Sequence, residues 1–194
     1  MVRYAADFVV GFQYRQDAER FLNDLKERIG RFELEIHPEK TRLIEFGRLA
    51  AANRRTRGEE RPETFDFLDF THYCREDRKG RFGLGRKPMA KRMTRTLKRV
   101  KEEMSKRRHQ RIGKTGKWLG RVLNGWMNYF AVPTSQRYLR RFASHILRLW
   151  MKALNRRYQK GGYSWEAMNR LAVTYWPTLR IRHPWPDRRL LVNA

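Results

Sequence analysis

Cysteine, acidic side chains and long apolar runs are scarce in this 194-residue sequence, and each scarcity excludes a class of protein. The lone Cys74 allows no intramolecular disulfide and no zinc site built from several cysteines. No apolar run approaches the ~18 residues that a membrane-spanning helix needs, so no membrane partner is expected. The first residues lack a secretory-signal pattern, and together with the single cysteine this predicts a cytoplasmic protein.

Acidic residues are especially scarce in the second part of the chain. The whole sequence has 45 Lys and Arg against 20 Asp and Glu, which gives a net charge of +25. Residues 1–77 have a balance of −2, whereas residues 78–194 hold 4 acidic and 31 basic residues, a balance of +27. A near-neutral part therefore precedes a strongly cationic part. A charge of this size predicts a polyanionic partner.

The first part has the patterns of short strands around one helix. Residues 3–12 place aromatic and β-branched side chains on both sides of a small polar centre, which predicts strand, turn, strand. Apolar residues recur at helical spacing over residues 17–29, and Gly30 follows as a stop signal. Period-two alternation predicts two further strands, at residues 32–36 and 42–46.

The region that follows predicts a loop and then a hairpin. Residues 53–63 are charged and interrupted by glycine and proline, which favours a solvated loop. Apolar residues at 65–73 and 81–84 flank a polar turn, which predicts a hairpin. His72 and Cys74 lie two apart on the first of these strands and are expected to pack side by side, without a metal.

The second part has the patterns of helices. Pro88 is placed at the first turn of a helix whose apolar stripe includes Met93, Leu97 and Met104. A second helix is expected at about 117–131, and a third after Pro133 with Thr134 or Ser135 as its N-cap. Ser164 is expected to cap a short fourth helix, and the tail after Pro177 is expected to be extended. The Met and Trp side chains of these helices are expected in the core.

Four blocks in the sequence carry a family resemblance. Residues 4–10 (YAADFVV), 34–41 (LEIHPEKT) and 65–71 (FDFLDFT) resemble the last three sequence blocks of bacterial group II intron reverse transcriptases. Residues 125–130 (GWMNYF), with the helices after them, are similar to the maturase domain of the same proteins, also called the thumb or X domain. The blocks occur in the family's order and extend over nearly the whole chain.

The resemblance implies an α+β fold. It implies a partial reverse-transcriptase palm at residues 1–85, made of short antiparallel strands and one helix, followed by an all-helical thumb or maturase domain at residues 86–194. Family members have fingers and an upstream half of the palm before the first of these blocks. The chain is therefore expected to be a C-terminal part of such a protein.

The resemblance also implies that the polymerase site is incomplete. The family's turn reads Tyr-Ala-Asp-Asp, whereas Ala6 stands at the first aspartate position here and only Asp7 remains. Two-metal polymerisation needs several carboxylates to hold both Mg²⁺ ions, so Asp7 is expected to be a remnant that is not competent. No cofactor is expected for this chain, although intact family members use Mg²⁺. The chain is therefore expected not to be an enzyme.

Two further positions follow from the resemblance. Lys40 matches a lysine that lies near the incoming nucleotide in the family, and from the sequence alone a solvated lysine at a strand end is the simpler interpretation. Asp69 stands where the family usually has glycine. A glycine position often marks a close approach of two backbones, which an aspartate is expected to obstruct.

The basic residues of the second part are predicted to bind RNA, because Lys and Arg on a stiff helix neutralise phosphates and release counterions. The resemblance implies group II intron RNA or other structured RNA as the partner, and assistance in splicing as the role. The predicted RNA-binding residues are Arg86, Lys87, Lys91, Arg92, Arg95, Lys98, Arg99, Arg107, Arg108, Arg111, Lys114, Lys117, Arg121, Arg137, Arg140 and Arg141.

Two alternatives stay open at this point. The chain is a C-terminal half that assembles in trans with a separately encoded finger and palm half to form an RNA-directed DNA polymerase, or it is a decayed intron remnant. The exposed edge of the hairpin at residues 3–12 also predicts pairing with such a missing half or self-association.

Overall fold

The computed structural model describes residues 1–5, 7–77, 79–157 and 162–185. The first part begins with an antiparallel hairpin of β1 (Val2–Tyr4) and β2 (Asp7–Val9), followed by helix α1 (Arg15–Gly30). The predicted hairpin and helix are confirmed. Ala6 lies outside the described residues.

The strands predicted at 32–36 and 42–46 are wrong, because both segments lack regular structure. Residues just after α1 instead close the helix end. Glu33 has a φ of 57° and donates its N–H to the carbonyl of Gly30, while the N–H of Leu34 bonds to Ile29. This is the pattern of a Schellman cap, with Glu33 in the left-handed position that usually holds glycine. The side chains of residues 32–35 remain exposed.

The loop prediction for residues 53–63 is wrong over its first residues. Helix α2 (Ala50–Thr56) occupies them, and Gly58, two residues after its last residue, has a φ of 72°. Ion pairs hold this charged region together: Arg57 pairs with Glu45 and Glu59, and Arg54 pairs with Glu59 at 3.1 Å. The charged composition therefore predicted solvent exposure correctly, but it did not predict the short helix α2.

The predicted hairpin is a three-stranded antiparallel sheet of β3 (Phe65–Phe67), β4 (Phe70–Glu76) and β5 (Phe82–Pro88). Leu68 and Asp69 both have positive φ angles, of 49° and 63°, and form a tight turn inside the segment predicted as one strand. Pro88 pairs opposite Phe70 at the end of β5, so its predicted place in the first turn of a helix is wrong.

The described residues of the second part form four helices after β5. They are α3 (Ala90–Lys106), α4 (Ile112–Phe130), α5 (Gln136–Asn155) and α6 (Trp165–Tyr175). Helix α4 begins five residues before its predicted start. The predicted cap of α6 is confirmed, because Ser164 Oγ accepts from the N–H of Ala167 at 3.2 Å. The α+β fold class is confirmed.

The core lies between these helices, where Leu119, Met127, Phe142, Ile146 and Trp150 have almost no exposed surface. Large apolar side chains at helical spacing bury best against one another, so the core follows the stripes seen in the sequence. The prediction that the Met and Trp side chains belong to the core is confirmed for most of them.

The three-stranded sheet is attached to the helical core. Phe70 of β4 is buried within the helical cluster and its ring lies 5.2 Å from that of Phe130. Thr134 does not cap α5 as predicted. Its hydroxyl accepts from the N–H of Arg86 and donates to the carbonyl of the same residue, at 2.7 and 2.8 Å. The predicted domain boundary between residues 85 and 86 lies inside strand β5. The division of the chain into two domains at this point stays a prediction.

Ser135 occupies the N-cap position of α5, but its side chain makes no capping bond. Its hydroxyl instead donates back toward the last turn of α4, to the carbonyl of Phe130 and to that of Val132 at 2.8 Å. The prediction of Ser135 as the N-cap residue is therefore confirmed by its position, although the hydroxyls of Thr134 and Ser135 both bond neighbouring segments instead of capping the helix. After α6, residues 177–185 contain no helix or strand.

Candidate nucleic-acid interface

Helix α3 separates an apolar face from a basic one. Val100 and Met104 are buried, and Met93 and Leu97 pack on the same core. The remaining positions point to solvent because they lie on the opposite side of a 3.6-residue turn. This arrangement exposes four of the predicted basic side chains, Lys91, Arg95, Lys98 and Arg99.

The turn between α3 and α4 and the start of α4 continue the basic surface. Arg108 and Arg111 are exposed in the turn. On α4, Lys114, Lys117 and Arg121 follow each other at spacings of three and four, which places them on one helix face. All three side chains are exposed.

Helix α5 presents three more of the predicted residues and several that the sequence analysis missed. Arg137, Arg140 and Arg141 are exposed in its first two turns. The guanidinium of Arg137 lies 4.8 Å from the ring centre of Tyr138 and bonds its hydroxyl at 2.7 Å. The same exposed side of the helix carries the additional basic residues Arg148, Lys152 and Arg156. The spacing of 137, 141, 148, 152 and 156 was the signal that would have found them.

We call the following exposed side chains the cationic surface: Lys91, Arg95, Lys98, Arg99, Arg108, Arg111, Lys114, Lys117, Arg121, Arg137, Arg140 and Arg141. Within residues 1–5, 7–77, 79–157 and 162–185, none of these side chains has a carboxylate partner. Their assignment to RNA binding stays a prediction.

The other four predicted residues have partners within the protein. Arg92 donates to the carboxylate of Asp69 at 2.5 Å, and Arg86 is held through its backbone by Thr134. Lys87 Nζ lies 5.8 Å from the ring centre of Tyr73. These contacts make the residues of β5 and the first turn of α3 part of the connection between sheet and helices.

Arg107 also has a structural environment. Its guanidinium lies 4.8 Å from the ring centre of Trp118 and 3.5 Å from Glu103, and its carbonyl accepts from Arg157 at 3.2 Å. Arg157 bonds the carbonyl of Gln110 as well, at 2.9 Å, so it joins the end of α5 to the turn between α3 and α4. This bonding fixes the turn that carries Arg108 and Arg111.

One acidic side chain of α3, Glu103, is paired with basic residues. Glu103 pairs with Lys106 at 2.7 Å as well as with Arg107. The hydrogen bond from Lys106, with the charges of both bases, holds the pKa of the Glu103 carboxyl below its usual range. This carboxylate therefore stays ionised near neutral pH. Lys106 and Arg107, the two basic neighbours of Glu103, both lie outside the cationic surface. The charge of the cationic surface is therefore not compensated by Glu103.

The remnant of the polymerase turn lies far from the cationic surface in the sequence. Asp7 is the exposed first residue of β2 and pairs with Tyr4. Among the described residues, no three His, Cys, Asp or Glu side chains lie close enough together to hold a metal ion. Asp7 is therefore not part of a metal-binding cluster within the described residues.

Lys40 and His72 take other places than a catalytic one. Lys40 is exposed in a turn where its N–H bonds the carbonyl of His37 at 3.3 Å, so it does not end a strand. His72 stacks on Phe65 with ring centres 4.7 Å apart, and Cys74 Sγ accepts from the N–H of Gly47 at 3.4 Å. Both side chains of β4 pack, as the sequence predicted.

No helix among the described residues combines the length and the apolar character that spanning a membrane requires. The comparison with curated proteins found no match, and neither did the comparison with solved structures. The family model for the group II intron, maturase-specific domain matches residues 90–176.

The matched range coincides with the helices that carry the cationic surface. It begins at Ala90, the first residue of α3, and ends at Trp176, directly after α6. The reverse-transcriptase blocks at residues 4–71 lie outside the match and remain a resemblance. The recognition drawn from the sequence is confirmed for the second part of the chain: residues 90–176 form a group II intron maturase-specific domain.

Proposed function

We propose that this chain binds structured RNA, specifically group II intron RNA, through the cationic surface of α3, α4 and α5. The maturase-specific domain supports a role in intron splicing, and RNA binding is the step that such a role requires of the protein. The observation that carries the proposal is the row of exposed Lys and Arg side chains without acidic partners among the described residues. A binding step of this kind needs no catalytic group.

Electrostatics favours a functional reason for this surface. Charges of one sign on a small folded unit repel one another and reduce its stability, and a polyanion relieves that repulsion. Structured RNA is recognised through its shape, phosphates and 2′-hydroxyl groups, which suits basic side chains held on stiff helices. Arg also offers a planar group that bonds phosphate through two N–H groups or stacks on a base.

A mobility-shift or filter-binding experiment over rising salt tests the proposal. A group II intron RNA is the probe, and an RNA of equal length and composition without stable structure is the comparison. We expect tighter binding of the intron RNA and a steep fall of affinity with salt, since each phosphate contact adds about one to the slope of log K against log salt. Affinity that is absent, or unchanged by salt, would contradict the proposal.

The proposal assigns no polymerase activity to this chain. Asp7 is exposed on a two-stranded hairpin and stands in no metal-holding cluster within the described part of the chain. Primer extension on an RNA template tests the alternative of assembly in trans, first with the chain alone and then with a complementary finger and palm half. We expect no DNA product in either case. Product formed before an Ala6→Asp substitution would favour the enzyme.

A further inference from the structure

A cleft lies between the three-stranded sheet and the last turns of α4. Its volume is about 320 Å³, which is within the range of sites for small planar ligands. The segment after α6 contributes His183 and Pro184 to its wall. Three chain regions distant in the sequence therefore meet around one concave site.

The aromatic side of the cleft is held in place. Tyr129 stacks on Phe70 with ring centres 5.5 Å apart, and its hydroxyl donates to the carbonyl of Leu68 at 3.0 Å. Phe67 lines the same cleft. The residue Tyr129 is still 47% exposed, so part of a fixed ring is open to a ligand. A planar group binds such a ring by stacking.

The polar side of the cleft contains hydrogen-bonding groups. His72 Nδ1 is buried and has no hydrogen-bond partner within the described residues. Burial, and then the charge of Arg86, lower the pKa of His72, so its ring is neutral near pH 7 and carries one donor and one acceptor. Asn128 and Arg86 line the cleft beside it, and none of its described lining residues is Asp or Glu.

We propose that this cleft binds one unpaired nucleobase of the RNA, stacked against Tyr129 with its edge toward His72 and Asn128. A base has the required planar apolar faces and polar edge. The phosphate of the same nucleotide would lie in a region of positive charge that includes Arg86. A Phe side chain has the faces without a polar edge, and Tyr or Trp offers a single hydrogen-bonding group where a base edge offers several adjacent ones. The inference rests on the proposed function and adds to it a specific subsite.

The test compares two RNA hairpins of about 20 base pairs, one fully paired and one with a single-nucleotide bulge, on the full chain. We expect the bulged hairpin to bind about tenfold more tightly, the effect of one base stacked on an aromatic ring. Equal affinity for the two hairpins, with binding of both that weakens in salt, overturns the inference and leaves the proposed function intact. Failure to bind either hairpin or the intron RNA overturns both.

A matched pair of variants locates the effect. Leu68→Trp places a large side chain at the cleft, whereas Leu84→Trp makes the same change on β5 away from it; the two leucines are 39% and 42% exposed. We expect Leu68→Trp to abolish the preference for the bulge and Leu84→Trp to retain it. A preference that survives Leu68→Trp in a folded protein overturns the inference and leaves the cleft to another partner, such as a peptide.

Photo-crosslinking of the unmodified chain gives a second measurement that does not depend on a variant. A 4-thiouridine at the bulge is irradiated in the complex, and the attached peptide is identified by mass spectrometry. Crosslinks at Phe67 or Tyr129 support the inference. Crosslinks confined to peptides of α3 or α5 overturn it.

Discussion

The carboxylate of Asp69 accepts a hydrogen bond from Arg92 at 2.5 Å, while the Asp69 backbone holds a φ of 63°. The position therefore favours glycine for its left-handed backbone, and the expected obstruction of a close approach is not what determines it. Aspartate tolerates this conformation better than most residues. Its side chain and the bond from Met89 N–H to its carbonyl connect the β3–β4 turn with the start of α3.

Substitutions of Asp69 distinguish the contribution of its backbone conformation to stability from that of its ion pair with Arg92. Asp69→Gly relieves the backbone and loses a partly exposed ion pair, so we expect a change in unfolding free energy of less than about 1 kcal/mol. Asp69→Ala loses the pair and keeps the strained backbone, and we expect it to be less stable than Asp69→Gly by about 1 kcal/mol. Urea denaturation of the full chain measures both. Equal midpoints for the Ala and Gly variants would contradict the backbone explanation.

Charge reversal on the cationic surface is expected to weaken RNA binding and its salt dependence. The triple variant Arg95→Glu, Lys117→Glu, Arg121→Glu removes three phosphate contacts, so the slope of log K against log salt should fall by about three. The control reverses three exposed residues of the first part, Arg20, Arg28 and Arg61, and changes the net charge equally. Equal loss of affinity in both variants would show that total charge, and not this surface, determines binding.

Glycines at 113, 116 and 120 form a stripe on α4 against which the end of α6 packs. A Cβ at Gly120 would meet the backbone carbonyl of Tyr175 well inside van der Waals contact, and one at Gly116 would lie 2.6 Å from the Tyr175 ring. We expect Gly120→Ala to cost about 1–3 kcal/mol, because a backbone atom cannot easily move aside. Thermal or urea unfolding measures the loss.

The control for this prediction is Gly125→Ala on the same helix, where an added Cβ meets nothing within 4 Å. It should stabilise the protein by about 0.5–1 kcal/mol, since alanine is the better helix former. A Gly120→Ala variant as stable as Gly125→Ala would contradict the packing of α6 described here.

His72 is expected to make stability depend on pH. Burial and the charge of Arg86 lower its folded-state pKa, so the unfolded chain binds a proton more readily. The contribution is therefore fully present above the unfolded pKa of about 6.5 and is lost as the pH falls from there through the lower folded value. Urea midpoints at several pH values between 7.5 and 5 should decrease.

The decrease should be smaller in His72→Phe, which keeps the stacking on Phe65 and removes the titrating ring. His109→Gln, at an exposed histidine, provides the control and should follow the unsubstituted chain. An identical pH dependence in His72→Phe would show that other groups cause it.

The hairpin of β1 and β2 is expected to promote self-association. Neither strand pairs with a third among the described residues, and Val2, Tyr4 and Phe8 are exposed at 60%, 64% and 42%. Open strand edges with apolar side chains favour pairing between chains. Light scattering should give a mass that rises with concentration and that falls toward the monomer in Phe8→Lys. A concentration-independent monomer for the unsubstituted chain would contradict this expectation.

The helical part of the fold was predictable because its signal is repeated over many turns. Met93, Leu97, Val100 and Met104 recur at helical spacing, and that spacing placed both the core and the opposite basic face. The same reasoning failed at residues 32–36, where five alternating residues resembled a strand. An alternating pattern predicts which side chains share one face of a strand, but it does not provide a partner strand. Residues in this segment form the C-terminal cap of α1 instead.

The connections between distant segments were not predictable from local patterns. Thr134 appeared to be a helix cap, and its contact with Arg86 depends on how the sheet packs on the helices. The glycines of α4 permit the close approach of Tyr175, a contact that no local pattern of the sequence indicated. The candidate site was predicted as a class of residues, and the internal partners of Arg92 and Arg107 emerge only in three dimensions.

The exposed face of α4 changes character after Arg121, where Asn124 and Asn128 follow at the same spacing. Arg182 from the segment after α6 bonds both asparagine side chains, to Asn124 Oδ1 at 2.7 Å, and its N–H bonds the carbonyl of Ala131. The guanidinium of Arg182, which follows the two asparagines by 58 and 54 residues in the chain, thus extends the row of positive charges on this helix. A protein ending directly after α6 would retain the matched domain, but its row of positive charges on α4 would be shorter and would contact fewer phosphates.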